Sequence, residues 1–296
     1  MSQYEKYEMN QNDPKLYFEQ IMQRKGIEDL QKIVRKWQAL SDNMSEHPSN
    51  LPVLLPDMLW FSRSGSGRSS LLGLLAEYLH ALKNLMPFYG DVKYFEFLLS
   101  YCPPERPFTE LYRLIDEVTN AAGFRNEYKG IIFIDIDEWR DHFEERHFVS
   151  FMEYLAGNSD EWMIILSVNA NDCEDFHELE AFLSMFLRIE KISITSPEPE
   201  DLFEYLERNL QSYGLRLSED AKELLLGSIE KLRSNKYFDG YKSIRMLYQD
   251  IVYTVFSEAK ADLLTAGMLA NFSADSEYIR RMFTNIRRVH KIGFAG

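Results

Sequence analysis

The stretch WFSRSGSGRSSLL, residues 60–72, decides the fold prediction. An apolar strand is predicted to end here and an apolar helix to begin, with a turn of small residues between them. A phosphate-binding loop, G-x-x-x-x-G-K-[ST], has this layout, because its glycines let backbone N–H groups close around phosphates while its lysine neutralises them. The frame here is Ser62-x-x-x-x-Gly67-Arg68-Ser69. A plain Gly-Ser turn explains the stretch equally well.

Several features of a working phosphate loop persist in this frame. The hydroxyl after the basic position would hold magnesium, and the helix that follows would point its positive end at an anion. The basic residue is an arginine, which is planar and longer than lysine and does not simply replace a point charge. The candidate nucleotide-binding residues of the loop are Gly65, Gly67, Arg68, Ser69 and Ser70.

The run GIIFIDIDEW is a second motif, in which an apolar strand ends in acids. Asp135 closes the strand and is, with the loop hydroxyl of Ser69, the candidate magnesium ligand. A hydrolytic enzyme of this kind needs a base directly afterwards, normally glutamate, to activate water. That position is Ile136, and Asp137 or Glu138 would have to act as a relocated acid. We predict that Asp137 shares a strand face with Asp135. Alternatively, these acids merely terminate a strand.

The stretch IILSVNAND is a third motif, in which another apolar strand ends in amides. A polar amide at such a strand end can sense the phosphates of a nucleotide. Asn169 is the best candidate for this role, and Asn171 is the second choice. A cluster of asparagines in an ordinary turn is the alternative, because asparagine is common in turns.

Strands and helices alternate from about residue 53 to 195, which predicts an α/β fold with a parallel sheet sandwiched by helices. Beyond the prolines at 197 and 199 every predicted element is helical. The predicted organisation is a disordered lead (1–15), an N-terminal helix and linker (16–52), an α/β core (53–196) and a small helical domain (197–296).

Composition limits the class of protein. The chain has 296 residues and a formal net charge of −14, which argues against nucleic acid as a partner. Its two cysteines, Cys102 and Cys173, form neither a disulfide framework nor a metal cluster. The N-terminus is polar, and no apolar run is long enough to span a bilayer. We therefore expect a cytoplasmic protein without a membrane partner.

The order of these motifs resembles the AAA+ ATPases, specifically the branch of rubisco-activase-like and sporulation stage V protein K-like proteins. NLQSYGLRLSEDAKELLLGSIEKL is similar to the first helices of that branch's small lid domain. FDGYKSIRMLYQDIVYTVF resembles its F-G-N-A-R-x-V-R-N segment, and RRVHKIGF resembles its terminal basic-I-G-F. The resemblance spans roughly residues 16–294. It implies a helical lid after the core, and ATP or ADP with magnesium as cofactor.

Carried over to this chain, the resemblance places Lys242 at the lid arginine and Arg245 at a second arginine of that segment. The finger arginine, which acts between subunits, corresponds to Met185, and Arg188 is a possible substitute three residues later. Tyr101 lies where the branch presents a substrate-threading aromatic residue.

Four catalytic features thus depart together: the loop lysine, the water-activating glutamate, the lid arginine and the finger arginine. We therefore expect a degenerate AAA+ protein with little or no ATP hydrolysis. It would serve as a structural or regulatory subunit, in a homo-oligomer or in a hetero-oligomer with an active paralogue. A slow but genuine ATPase, acting as a remodelling chaperone or activase, is one alternative. A protein-binding module that binds no nucleotide is another.

Overall fold

In the computed structural model of the protein, the described residues fall into two compact units. One unit consists of residues 1–63 and 68–195, and the other of 64–67 and 196–296. The described residues are 13–46, 55–63, 65–82, 85, 94–98, 109, 112–113, 130–139, 142–159, 162–170, 176–235, 238–258 and 262–281.

The first unit is built on a five-stranded parallel sheet. The strand order is β2-β3-β4-β1-β5, and every neighbouring pair is parallel. This confirms the predicted fold class. The strands are β1 (Asp57–Ser62), β2 (Tyr94–Leu98), β3 (Gly130–Asp135), β4 (Trp162–Val168) and β5 (Ile189–Ile194).

Helices cover both faces of this sheet. Residues of β1 alternate between two apolar clusters: Trp60 packs with Leu71 and Leu75, and Phe61 packs with Phe148. Strands buried on both faces give the continuous apolar runs seen in the sequence. The described helices of this unit are α1 (Pro14–Met22), α2 (Glu28–Glu46), α3 (Arg68–Ala81), α4 (Arg146–Ala156) and α5 (His177–Leu183).

The N-terminal segment differs from the prediction, because two helices replace the single one expected. The chain turns at Gly26, whose φ of 75° lies in the left-handed region that favours glycine. The first helix also begins at Pro14, within the segment expected to be disordered, where the Asp13 side chain accepts the N–H of Lys15 as an N-cap. Residues 1–12 of that segment lie outside the described residues. The Gln31 amide donates to three backbone carbonyls where α1 ends.

The second unit is helical and contains α6 (Pro199–Ser212), α7 (Glu219–Arg233) and α8 (Gly240–Glu258). A short parallel pair, β6 (Arg216–Leu217) with β7 (Leu263–Leu264), was not predicted; two-residue strands have no sequence periodicity. The longest described helices, α2 and α8, have 19 residues each. Among the described residues no helix is both long and apolar enough to cross a membrane.

A carboxyl group lies buried at the start of β1. Asp57 is 6% exposed, and its Oδ1 accepts the N–H of Ile164 at 2.8 Å. Burial raises the pKa of Asp57 to about 7, although the hydrogen bond from Ile164 acts in the opposite direction. The folded state therefore binds a proton that the unfolded state, with a pKa near 3.8, has already released.

Because the folded state holds this extra proton, we predict that Asp57 lowers the free energy of unfolding as pH rises from about 4 to about 7. One such group contributes a slope of at most about 1.4 kcal/mol per pH unit. Asp57→Asn keeps the acceptor for Ile164 and has no charge. Denaturant unfolding at several pH values should show the variant gaining stability relative to the wild type up to about pH 7, and no further change above it. A pH-independent difference between the two proteins would contradict the assignment.

Candidate functional site

Arg68, the residue at the lysine position of the loop, is held in place by two strands. Its Nη2 donates to Asp135 Oδ2 at 2.8 Å, and its Nη1 donates to Ser167 Oγ at 2.7 Å. The guanidinium also lies over the Phe133 ring, 5.1 Å from the centroid. The Arg68 and Asp135 side chains are each 19% exposed. The pair is therefore largely screened from water, and a cation is already bound to the candidate magnesium ligand.

The sheet brings these groups together. Asp135 and Ser167 are register partners on β3 and β4, one at the carboxyl end of its strand and the other beside it. Helix α3 begins at Arg68, six residues after β1 ends. The carboxyl ends of parallel strands meet at one edge of an open sheet, which is where ligands bind in this class of fold. Arg68, at the lysine position of the loop, and Asp135 both lie at this edge.

The second oxygen of Asp135 is also engaged. Asp135 Oδ1 accepts the N–H of Asp137 at 3.1 Å, and Asp137 Oδ1 in turn accepts the N–H of Asn169 at 3.0 Å. The prediction that Asp137 shares a strand face with Asp135 is wrong. The strand ends at Asp135, and Asp137 begins a single 3₁₀ turn whose first N–H is held by the Asp135 side chain.

Ile136, at the position of the expected water-activating glutamate, is a core residue. It is fully buried in the apolar cluster that contains Ile134, Phe148 and Leu166. Its N–H donates to the Ser167 carbonyl at 2.9 Å, which fixes the backbone. Asp135 and Ile136 therefore face opposite sides of the sheet, and a carboxylate at 136 would lie in the core. The side chain of Glu138, the other candidate acid, lies outside the described residues.

The two serines after Arg68 have partners that the sequence did not indicate. Ser69 Oγ donates to Glu96 Oε1 on the edge strand β2 at 2.9 Å. Arg24 Nη2, from the turn between α1 and α2, donates to Ser70 Oγ at 2.7 Å. The sequence feature that could have indicated Glu96 is that it is the single acid within the aromatic strand YFEFL. Arg24 gave no sequence signal.

These contacts do not suit a divalent cation. Both candidate magnesium ligands, Ser69 and Asp135, already have partners, and one partner is a guanidinium. A divalent ion at Asp135 would be repelled by the Arg68 guanidinium, which also neutralises the carboxylate charge that would otherwise attract the ion. The residues as arranged therefore do not fit Mg²⁺.

One observation does suit an anion. Ser62, at the first position of the loop frame, is fully buried, and among the described residues its hydroxyl has no hydrogen-bond partner. Residues i and i+2 of a strand share a face, so Ser62 lies on the same face as Trp60, which packs against α3. A buried hydroxyl without a partner costs stability unless something binds it. It marks a position where a phosphate oxygen could accept a hydrogen bond.

Gly65 and Gly67 both have positive φ, 77° and 85°, and so adopt conformations that favour glycine. Residues 64–67 belong to the second unit, in which the N–H of Tyr241 donates to the Gly65 carbonyl at 3.0 Å. A Cβ at Gly65 would lie 2.3 Å from the carbonyl carbon of Asp239. Only glycine is therefore accommodated at residue 65.

The remaining candidates are less informative. Lys242 and Arg245 are exposed on α8, and Lys242 Nζ is 3.6 Å from Asp239 Oδ2. Met185, at the finger position, is 70% exposed after α5, and Arg188 is exposed as well. Their roles toward a nucleotide stay predictions. Other predicted features lie outside the described residues, namely Tyr101, Asn171, both cysteines and the basic C-terminal segment.

The fold is that of the P-loop AAA+ ATPases. RuvB of Thermotoga maritima, a Holliday junction branch migration motor, aligns over 88% of this chain and 76% of its own, with a TM-score of 0.50 and 11% identity. PCH-2 of C. elegans aligns over 85% of this chain and 68% of its own, with a TM-score of 0.50 and 14% identity. At such identities the likeness concerns the fold alone. No protein-family model and no curated protein matches the sequence.

Proposed function

We propose that this chain is a degenerate AAA+ protein, a structural or regulatory subunit of a protein assembly with little or no ATP hydrolysis. The observation that carries the proposal is the Arg68–Asp135 pair. The guanidinium is tied to Asp135, whereas a working site has a lysine that contacts the phosphates and a metal ion at the acid.

Three contributions to hydrolysis are weakened at once. The loop cation is tied to Asp135 and Ser167, and the position for the water-activating base is buried as Ile136. The finger position carries Met185, which supplies no charge. An arginine finger alone is worth about 10³-fold or more in the rate of related nucleotide hydrolases. The fold is compatible with these changes, because Ile136 adds to core packing and the Arg68 guanidinium is hydrogen-bonded to Asp135 and Ser167.

The resemblance to the rubisco-activase-like and stage V protein K-like branch supports the rest of the proposal. It favours ATP or ADP as the ligand, a cytoplasmic location, and assembly with copies of this chain or with an active paralogue. Lys242, Arg245 and Asn169 would complete the nucleotide site. The net charge of −14 disfavours nucleic acid as a partner.

A slow ATPase is the second candidate, favoured by the acids near the loop. Glu96 contacts Ser69, and Asp137 is hydrogen-bonded beside Asp135. In that case one of these acids would activate water, in place of the glutamate that is expected at position 136 and replaced by Ile136.

Release of phosphate from ATP tests the two candidates. With magnesium and saturating ATP, we expect the purified chain to turn over at less than about 0.01 per second, roughly 10³-fold below a typical enzyme. The matched control is Asp135→Ala, which should give the same background rate. Turnover that is measurable in the wild type and lost in Asp135→Ala would favour the slow ATPase.

A further inference from the structure

We infer that the Arg68 guanidinium takes the place of a divalent cation at Asp135, so that this site takes the phosphates of a nucleotide as a free anion and not as a magnesium complex. The inference rests on the proposed function for its ligand, a nucleoside di- or triphosphate. It adds that binding is independent of the metal.

Both oxygens of the Asp135 carboxylate already accept hydrogen bonds. Its two carboxylate oxygens accept from Arg68 Nη2 at 2.8 Å and from the N–H of Asp137 at 3.1 Å. A metal ion would have to displace or crowd one of these donors. The guanidinium is further fixed by Ser167 and by the Phe133 ring, so displacing it breaks three contacts at once.

Arg68 keeps N–H donors that a phosphate ligand can use. A guanidinium has five N–H donors in a fixed plane, and the bonds to Asp135 and Ser167 use two of them. Arg68 is also the first residue of a 14-residue helix, whose first-turn N–H groups favour an anion. The buried Ser62 hydroxyl, which has no partner among the described residues, lies on the sheet face that this helix covers. Positive charge and donors therefore remain for a phosphate group after Asp135 is neutralised.

The test is a calorimetric titration of the full chain with ADP and with ATP, in the presence of either excess EDTA or excess Mg²⁺. We expect the dissociation constant to agree within about threefold between the two conditions. Sodium pyrophosphate serves as a third probe. It shows whether the phosphates alone are recognised, or whether the base and ribose are required as well.

Two variants separate this site from a metal-dependent one. Arg68→Lys replaces the planar guanidinium with a compact ammonium group. We expect the affinity of this variant for ADP to increase about tenfold or more when Mg²⁺ is added. Asp135→Asn removes the competing charge, so we expect metal-free ADP to bind as tightly as, or more tightly than, to the wild type. A metal-dependent site would instead lose affinity with Asp135→Asn. Thermal unfolding of each variant confirms that it is folded.

Two results would overturn the inference: tighter binding to the wild type with Mg²⁺ by about tenfold or more, or no nucleotide binding in either condition. Neither result overturns the proposed function, which fails only if phosphate is released faster than about 0.01 per second. Phosphate release measured in the same samples therefore distinguishes the two failures.

Discussion

Replacing Ile136 with glutamate is expected to destabilise the protein by roughly 3 to 5 kcal/mol, because it leaves an uncompensated charge in the core. In a related hydrolase with an eroded site, the obvious repair is to restore the missing carboxylate. Here that position is fully buried between the sheet and its covering helices, against Phe148 and Leu166. The repair would therefore place a charge where no water reaches it, and we expect no gain in ATP turnover.

Denaturant unfolding of Ile136→Glu measures this loss. Ile136→Val is the matched control, since it removes one methylene group and should cost only about 0.5–1.5 kcal/mol. A glutamate variant with wild-type stability that also hydrolyses ATP would contradict the packing described here. It would mean that residue 136 can face the phosphate loop.

Replacing Arg68 with alanine is the second change with a large expected effect. Alanine removes both hydrogen bonds and leaves the Asp135 carboxylate, 19% exposed, beside a vacated space. Hydrogen bonds to charged groups are worth about 1.5–3 kcal/mol, and an orphaned partner adds its own penalty, so we expect a loss of roughly 2 to 4 kcal/mol without any nucleotide.

Arg68→Lys is the control for this prediction. Lysine keeps the positive charge but not the planar fork that reaches Asp135 and Ser167 together, and its loss should be intermediate. Denaturant unfolding without ligand measures both variants. If Arg68→Ala were as stable as the wild type, the Arg68–Asp135 pair would contribute nothing to the stability of the fold.

The sheet could be predicted because buried parallel strands have a characteristic amino-acid composition. A parallel strand covered on both faces must be apolar throughout, and runs such as GIIFID and WMIILSV have no other simple explanation. The same topology places Arg68, at the start of α3, and Asp135 at the carboxyl edge of the sheet. The helical character of the second unit was equally clear from periodicity.

The contacts within the site were not predictable. Asp135 lies 67 positions after Arg68 in the chain, and Ser167 lies 99 positions after it. No local pattern shows that an arginine will turn toward a carboxylate and not toward a ligand. Arg24, which donates to Ser70, lies in the turn between α1 and α2, where the sequence pattern predicted one continuous helix.

The most direct test of the account is a double-mutant cycle between Arg68 and Asp135. Unfolding free energies are measured without nucleotide for the wild type, Arg68→Ala, Asp135→Ala and the double variant. Because the two charges lie 2.8 Å apart and are largely shielded from water, we expect a favourable coupling of about 1 to 3 kcal/mol. A coupling indistinguishable from zero would contradict the claim that a guanidinium closes this site.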